Sequence, residues 1–451
     1  MRILLLLCVS LFLVSCAGDG TDSALTVPVE YYKLANGLKV VLSQDHSAPT
    51  VTVAVYYNIG FRIEPKDRTG FAHLFEHMMF QGSENLGKME FIRLVQSNGG
   101  ILNGSTRFDF TNYFEVVPAH KLETALWAEA DRMKGLSITQ ENLTNQQGVV
   151  TNEVKVNVLN QPYGGFPWLD MPQYANTNWH NAHNFYGDLK DLAAATLGDV
   201  QQFFKTYYAP NNAAIAIVGD FESKDALALI KKYFGGIPSV PQPPKPDLSE
   251  QRQDQEKRFT KKDTLANRPA IAIAYHMPER NTPEFFAMGL LDQILLQGED
   301  SKLTQKLVKS KGYTSGLGGG INLLGNQHNY NGPMLWMGNL IHDKNVSSDE
   351  ILKAWDEVIG DVTAAPVDRA TLDRALVKLR SNFYDDVSGF FGFGRADLLA
   401  AFALFDDDPA RINTLEEQFR KVTPALIQKT AQEYLRTGNR TILIIEPKSG
   451  S

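Results

Sequence analysis

The chain reads as an α+β protein made of two related halves, and three observations carry that reading. Strand-like alternation and helix-like periodicity succeed one another along the whole chain, a proline-rich break interrupts it once, and a short motif recurs across the break. At 451 residues the chain exceeds a typical single core. The break lies at 235–263, where Pro238, Pro241, Pro243, Pro244 and Pro246 precede a charged, glutamine-rich stretch that reads as a linker. The recurring motif is Gln81-Gly82 against Gln297-Gly298, an offset of 216 residues.

The elements follow in order. In the first half, 38–42 and 51–57 alternate as strands, 88–97 is a helix closed by Gly99, 110–117 is a strand, and 118–134 is a helix closed by Gly135. Residues 213–218 are apolar throughout, as in a strand buried on both faces. The second half repeats the plan: strand 270–275, helix 282–296 with Pro283 in its first turn, strand 333–341, helix 348–362 and a last strand at 441–445.

Composition narrows the function. With 43% hydrophobic and 21% charged residues and a net charge of -7, the chain shows no basic face, which argues against nucleic acid as a partner. Residues 1–16 read as an export signal: Arg2 gives a positive start, and the apolar run from Ile3 to Val14 is shorter than the roughly twenty residues of a membrane span. Leu13-Val14-Ser15-Cys16 resembles a bacterial lipobox, so Cys16 is the expected lipidation site, with 17–34 a tether holding the protein at the cell envelope, on the periplasmic face of an outer membrane. Cys8 falls in the removed segment, so the mature chain has no internal disulfide.

The chemistry sits at His73-Leu74-Phe75-Glu76-His77. On a helix His73 and His77 project from one face and Glu76 stands beside it, within reach of a metal-bound water. Phe71, Ala72, Leu74, Phe75, Met78 and Met79 supply the burial, and Gly82 a stop. Catalytic zinc takes three protein ligands, so a third is required. A second helix is expected after Thr139, a candidate cap, with Glu141 in its first turn and Leu143, Val149, Val150 and Val154 as apolar positions; Gln146 and Glu153 share one of its faces.

H-x-x-E-H is the inverzincin signature, and here the chain resembles the pitrilysin-like (M16) metallopeptidases. The resemblance extends to Asn98-Gly99-Gly100-Ile101-Leu102-Asn103-Gly104-Ser105-Thr106, to Thr111-Asn112-Tyr113 and to Tyr208-Ala209-Pro210-Asn211-Asn212. It implies one zinc ion per chain, with Glu153, which follows His77 after 75 intervening residues, as third ligand and Glu76 as general base. Position 146 is a glutamate beside the metal in many relatives; here it is Gln146. The implied fold is the LuxS/MPP-like metallohydrolase fold: a catalytic half at 35–234 and a non-catalytic half at 264–451, each of two similar α/β subdomains, in a clam-shell arrangement. The offset of 216 places Gly289, Asp292 and Gln293 opposite His73, Glu76 and His77, so the second copy lacks the ligands.

The resemblance also implies an edge strand around 102–106 that takes the substrate as an added strand, with Asn103 touching its backbone. In relatives an arginine and a tyrosine of the non-catalytic half support the reaction. Val308 and Ser315 stand at those places, and Tyr313 lies two residues early, on the same face as Ser315 if the stretch is a strand. The expected protein is therefore the metal-bearing subunit of a two-chain zinc endopeptidase, whose partner is a second M16-like chain or another copy of itself. Its substrates would be peptides or small unfolded proteins. The alternatives are a non-catalytic peptide-binding or scaffold subunit and a protease dedicated to one propeptide.

Overall fold

A computed structural model describes residues 26–389 and 393–448. The signal segment, Cys16 and the first half of the tether, 17–25, lie outside the described residues, while in its second half 30–33 form the first strand. The fold is α+β in two halves, each built around one mixed sheet.

The first sheet has six strands, β1 (Glu30–Lys33), β2 (Lys39–Gln44), β3 (Thr50–Tyr57), β4 (Ile101–Thr106), β5 (Thr111–Pro118) and β6 (Ala213–Gly219), in the order β1-β2-β6-β3-β5-β4. The second has β7 (Lys257–Asp263), β8 (Ala270–His276), β9 (Gly318–Ile321), β10 (Leu335–Ile341) and β11 (Arg440–Pro447), in the order β7-β11-β8-β10-β9. β2 and β6 pair in parallel, as do β7 and β11, and every other pairing is antiparallel. Dropping β1, the two sheets have the same order and the same single parallel pair. Each half thus holds one sheet, and no division into two similar subdomains is present among the described residues.

Two expectations are corrected. Residues 257–263, placed in the linker for their charge, form β7. They lie at the edge of the second sheet, where Arg258, Thr260 and Lys262 are exposed, and charge there protects an open strand edge. The stretch leading to Tyr313 is a wide helical turn over Thr304–Ser310, with Leu307 buried, and 313–315 follow it as irregular chain, so the strand that a shared face of Tyr313 and Ser315 required is not formed.

Both faces of each sheet are buried, and alternation sorts the side chains. On β3, Val51, Val53, Val55 and Tyr57 enter a core with helices Phe71–Met78, Leu122–Lys134 and Ser223–Phe234. Ala54 and Tyr56 point the other way, with Val41, Ala214, Ala216 and Val218, onto helix Phe393–Asp406 from the second half. The exchange is reciprocal. Helix Asp170–Ala175, from the first half, places Met171 and Ala175 against Ala270, Ala272, Ala274, Leu443 and Ile445 of the second sheet. In both sheets the face that takes the other half's helix is rich in alanine, which lets a helix approach closely.

Polar contacts reinforce the exchange. Lys39 donates from Nζ to the carbonyls of Ala403 (2.8 Å) and Leu404 (2.9 Å), near the carbonyl end of the 393–406 helix, where a cation is favoured. The Tyr56 hydroxyl donates to Asp397 Oδ1 (2.7 Å), and Arg62, almost fully buried, donates to the Pro333 carbonyl (2.7 Å). One cooperative calorimetric transition is expected for both halves. The segment 26–234 expressed alone should bind a hydrophobic dye and aggregate; a monomeric, dye-silent fragment would show that the borrowed helix is dispensable.

Candidate metal centre

The 71–78 helix lies on the first sheet with Phe71, Ala72, Leu74, Phe75 and Met78 buried. Its start is built from outside. Gly70 precedes it at φ 82°, and Glu64, itself fully buried, accepts from the Gly70 N–H (2.8 Å) and the Ala72 N–H (2.5 Å). These are donors that a helix end leaves unpaired, and a carboxylate there also meets the positive end of the helix dipole. His183 Nε2 lies 3.5 Å from Glu64 Oε2.

His73, His77 and Glu153 come together, with one ligand atom from each within 4.8 Å of the others. His77 Nε2 is 3.2 Å from Glu153 Oε2, and His73 Nε2 is 3.6 Å from Glu153 Oε1. A tetrahedral zinc with bonds of roughly 2.0–2.2 Å sets its ligand atoms about 3.3–3.5 Å apart, so the two observed spacings bracket the requirement. The donor set also fits, with two imidazole nitrogens and a carboxylate. Burial, followed by the neighbouring His77, pushes His73 down to about 3, against the pull of Glu153, so its imidazole is neutral at physiological pH. The His73 side chain is 3% exposed but those of His77 and Glu153 are 22% and 28% exposed, so the centre opens to solvent on one side.

Glu153 ends helix Gln140–Val154, which Thr139 caps by accepting from the Asn142 N–H (3.2 Å). Gln146 is buried on the same helix, and its amide donates to Asn145 Oδ1 (2.8 Å). The group that does bond Glu153 is one the sequence did not single out: Tyr186, whose hydroxyl donates to Oε1 (3.1 Å). No spacing motif marks it; the only local signal is the pair Phe185-Tyr186 before Gly187, and both rings pack on His73 at 4.8 and 5.0 Å.

Glu76 accepts from the hydroxyl of Thr106, the last residue of β4, at 2.9 Å. Burial lifts its carboxyl above the usual range, and the Thr106 hydrogen bond opposes this. β4 is the outermost strand beside the centre, and Asn103 is exposed on it with Oδ1 accepting from its neighbour Gly104 N–H (2.9 Å). Thr106 lay within the sequence matched to the family and carried no role there; its contact with Glu76 becomes visible only in the fold.

The equivalent place in the second half is filled differently. Helix Pro283–Leu295 carries Gly289, Asp292 and Gln293. A side chain at Gly289, opposite His73, would collide with the Gln327 amide. Asp292 accepts from the Trp336 indole N–H (2.7 Å) and the Gln297 amide (3.2 Å). Burial pushes its carboxyl up to about 6 despite those bonds. Its folded pKa therefore lies above the unfolded value of about 3.9, so stability falls as pH rises through this window, and the cost is complete above it. Asp292→Asn, which keeps an oxygen for Trp336, should gain about 1–3 kcal/mol at pH 8 relative to its effect at pH 4 in urea melts. The same change at both pH values would refute the ionisation cost.

Comparison with known proteins places both halves. Residues 39–181 match the model described as Insulinase (Peptidase family M16), and residues 194–379 match the Peptidase M16 inactive domain. The chain is 25% identical over 426 residues to the Helicobacter pylori zinc protease PqqE, covering 93% of each. It is 26% identical over 202 residues to the mitochondrial-processing peptidase subunit beta of Bos taurus, a match spanning 45% of this chain and 41% of that one. A crystal structure of a protease from Helicobacter pylori shares the fold, with a TM-score of 0.86 at 24% identity, over 93% of this chain and 100% of that one. With both domain models of one family matched in order along its two halves, the chain belongs to peptidase family M16, in its short bacterial form.

Proposed function

We propose that the chain is a zinc-dependent endopeptidase acting on extended peptides or small unfolded proteins at the cell envelope. The observation that carries this reading is the convergence of His73, His77 and Glu153 within 4.8 Å beside the half-buried carboxylate of Glu76. His73, His77 and Glu153 would hold the metal. A zinc ion there supplies Lewis acidity, which makes water nucleophilic near neutral pH and polarises a peptide carbonyl.

The protein's own residues supply the rest. Glu76 takes the proton from the attacking water as its oxygen bonds to the carbonyl carbon, and returns it to the amine nitrogen as the C–N bond breaks. Its carboxyl must be ionised to start, and burial has moved it toward the operating pH. Thr106 Oγ1 holds one carboxylate oxygen, so the proton has a defined destination. The free side of β4 offers main-chain groups to an extended substrate, with Asn103 as the contact residue, a mode that selects backbone conformation over sequence.

The catalytic half runs from 35 to 234, and the non-catalytic half begins at β7. Val308 and Ser315 stand where the pattern expects an arginine and a tyrosine, so a second M16-like chain completes the enzyme, or a second copy does. The match to one subunit of the mitochondrial peptidase supports this pairing. Cys16 anchors the protein through lipid.

Hydrolysis of a quenched-fluorescent peptide mixture, measured beside zinc content, tests the reading. Glu76→Gln should lower turnover by about 10²- to 10⁴-fold while retaining one zinc per chain. The acid limb of kcat/KM should fall above the ordinary carboxylate range of about 4–4.5, since activity needs ionised Glu76 and its pKa is raised. Wild-type chain that binds no zinc would sink the proposal, and full efficiency without a partner would remove the second chain.

A further inference from the structure

We propose that Tyr186 is a positioning residue of this centre: its hydroxyl fixes one oxygen of Glu153 so that the carboxylate stays turned toward His73 and His77. This rests on the zinc reading above. Glu153 needs such help. It stands at the end of its helix, where the chain widens into the turn Lys155–Leu159, and its side chain is 28% exposed. A glutamate side chain ordered there gives up rotamer freedom. A ligand held before the metal arrives has already met that cost.

The geometry assigns the task to Tyr186. Oε1 of Glu153 receives the tyrosine hydroxyl at 3.1 Å, which leaves Oε2 3.2 Å from His77. The Tyr186 ring meets His73 edge-on at 5.0 Å and Trp168 at 6.1 Å. Gln146, which the sequence offered for the supporting role, directs its amide to Asn145 instead.

The backbone of Tyr186 is fixed as firmly as its ring. Gly187, at φ 67°, lies so close to Gly70 that a side chain there would overlap the Gly70 nitrogen. A side chain at Gly70 would in turn come within 2.5 Å of the Tyr186 carbonyl oxygen. The Asp188 N–H donates to Thr69 Oγ1 (2.8 Å), and that hydroxyl donates to Asp191 Oδ2 (2.6 Å). Tyr186 is thus indexed to Thr69 and Gly70, immediately ahead of the helix that carries His73 and His77. The contact sets the distance between the two-histidine helix and the Glu153 helix.

Tyr186→Phe keeps the ring and removes the hydroxyl. In the purified chain from Gly18 onward, competition with a chelating dye at pH 7 should show zinc held about 10- to 100-fold more weakly by the variant. The metal-free thermal midpoint should match wild type, and the visible spectrum of the cobalt-loaded chain should shift as the carboxylate reorients. A purely structural role predicts the reverse, a lowered midpoint with unaltered zinc affinity. Equal zinc affinity and equal cobalt spectra in the two proteins would overturn the assignment. Failure of wild type itself to bind zinc would overturn the metal reading and this one with it, and the wild-type arm tells the two failures apart.

Discussion

Three polar side chains project from a helix that is otherwise apolar and buried, and neighbouring elements bring partners to each of them, leaving His73 Nδ1 unbonded. An unpaired polar group in such a place costs roughly 1–3 kcal/mol, and a charged one more. No residue within the 71–78 helix can meet the need. The partners come from three separate elements: Thr106 at the end of β4 for Glu76, Glu153 on the 140–154 helix for the histidines, and Glu64 ahead of the helix for its free N–H groups. Bringing them together fixes the sheet edge, the second helix and the segment through Tyr186 around one point, and that point is where a substrate strand beside β4 would pass.

The second half shows what the same fold does when that demand is absent. Its strand order and parallel pair repeat those of the first sheet, yet Gly289 leaves room that the Gln327 side chain takes. Asp292 stays behind as a buried acid with an indole N–H for company. The sheet is stabilised by alternation of apolar side chains on two covered faces, and that requirement is independent of any metal. The ligands could therefore be lost without loss of the fold.

The legible parts of the sequence were those whose signal is local. β3, β6 and β8 declared themselves as short apolar runs, and the helix beginning at Leu122 as an apolar period ending at Gly135. The pair His73 and His77 was legible because a helical repeat alone puts them together. Glu153 was not: it follows after 75 intervening residues, and only family resemblance connected it to the histidines before the fold did. The 393–406 helix carries no amphipathic stripe because it is buried between a sheet and other helices, so the pattern that marks a surface helix is missing. β7 was hidden by the charge that suits an edge strand, and Tyr186 by the lack of any spacing rule tying it to Glu153.

The exchanged helices bear on how the site can be closed. Swinging the two halves apart would uncover Val41, Tyr56, Phe114, Val116 and Val218 on one sheet and Leu443 and Ile445 on the other. At about 1.5–3 kcal/mol for each large side chain, the cost is on the order of ten kcal/mol, comparable with the whole stability of a domain. Breaking the Arg62 and Tyr56 contacts would add to it. Motion between the halves of one chain is therefore an expensive way to admit and release a peptide. His77 and Glu153 nevertheless remain partly exposed, and the donors expected from the non-catalytic half are missing at positions 308 and 315. A cover supplied by another chain meets both conditions: it can leave without unfolding this one, and it can bring the absent groups with it.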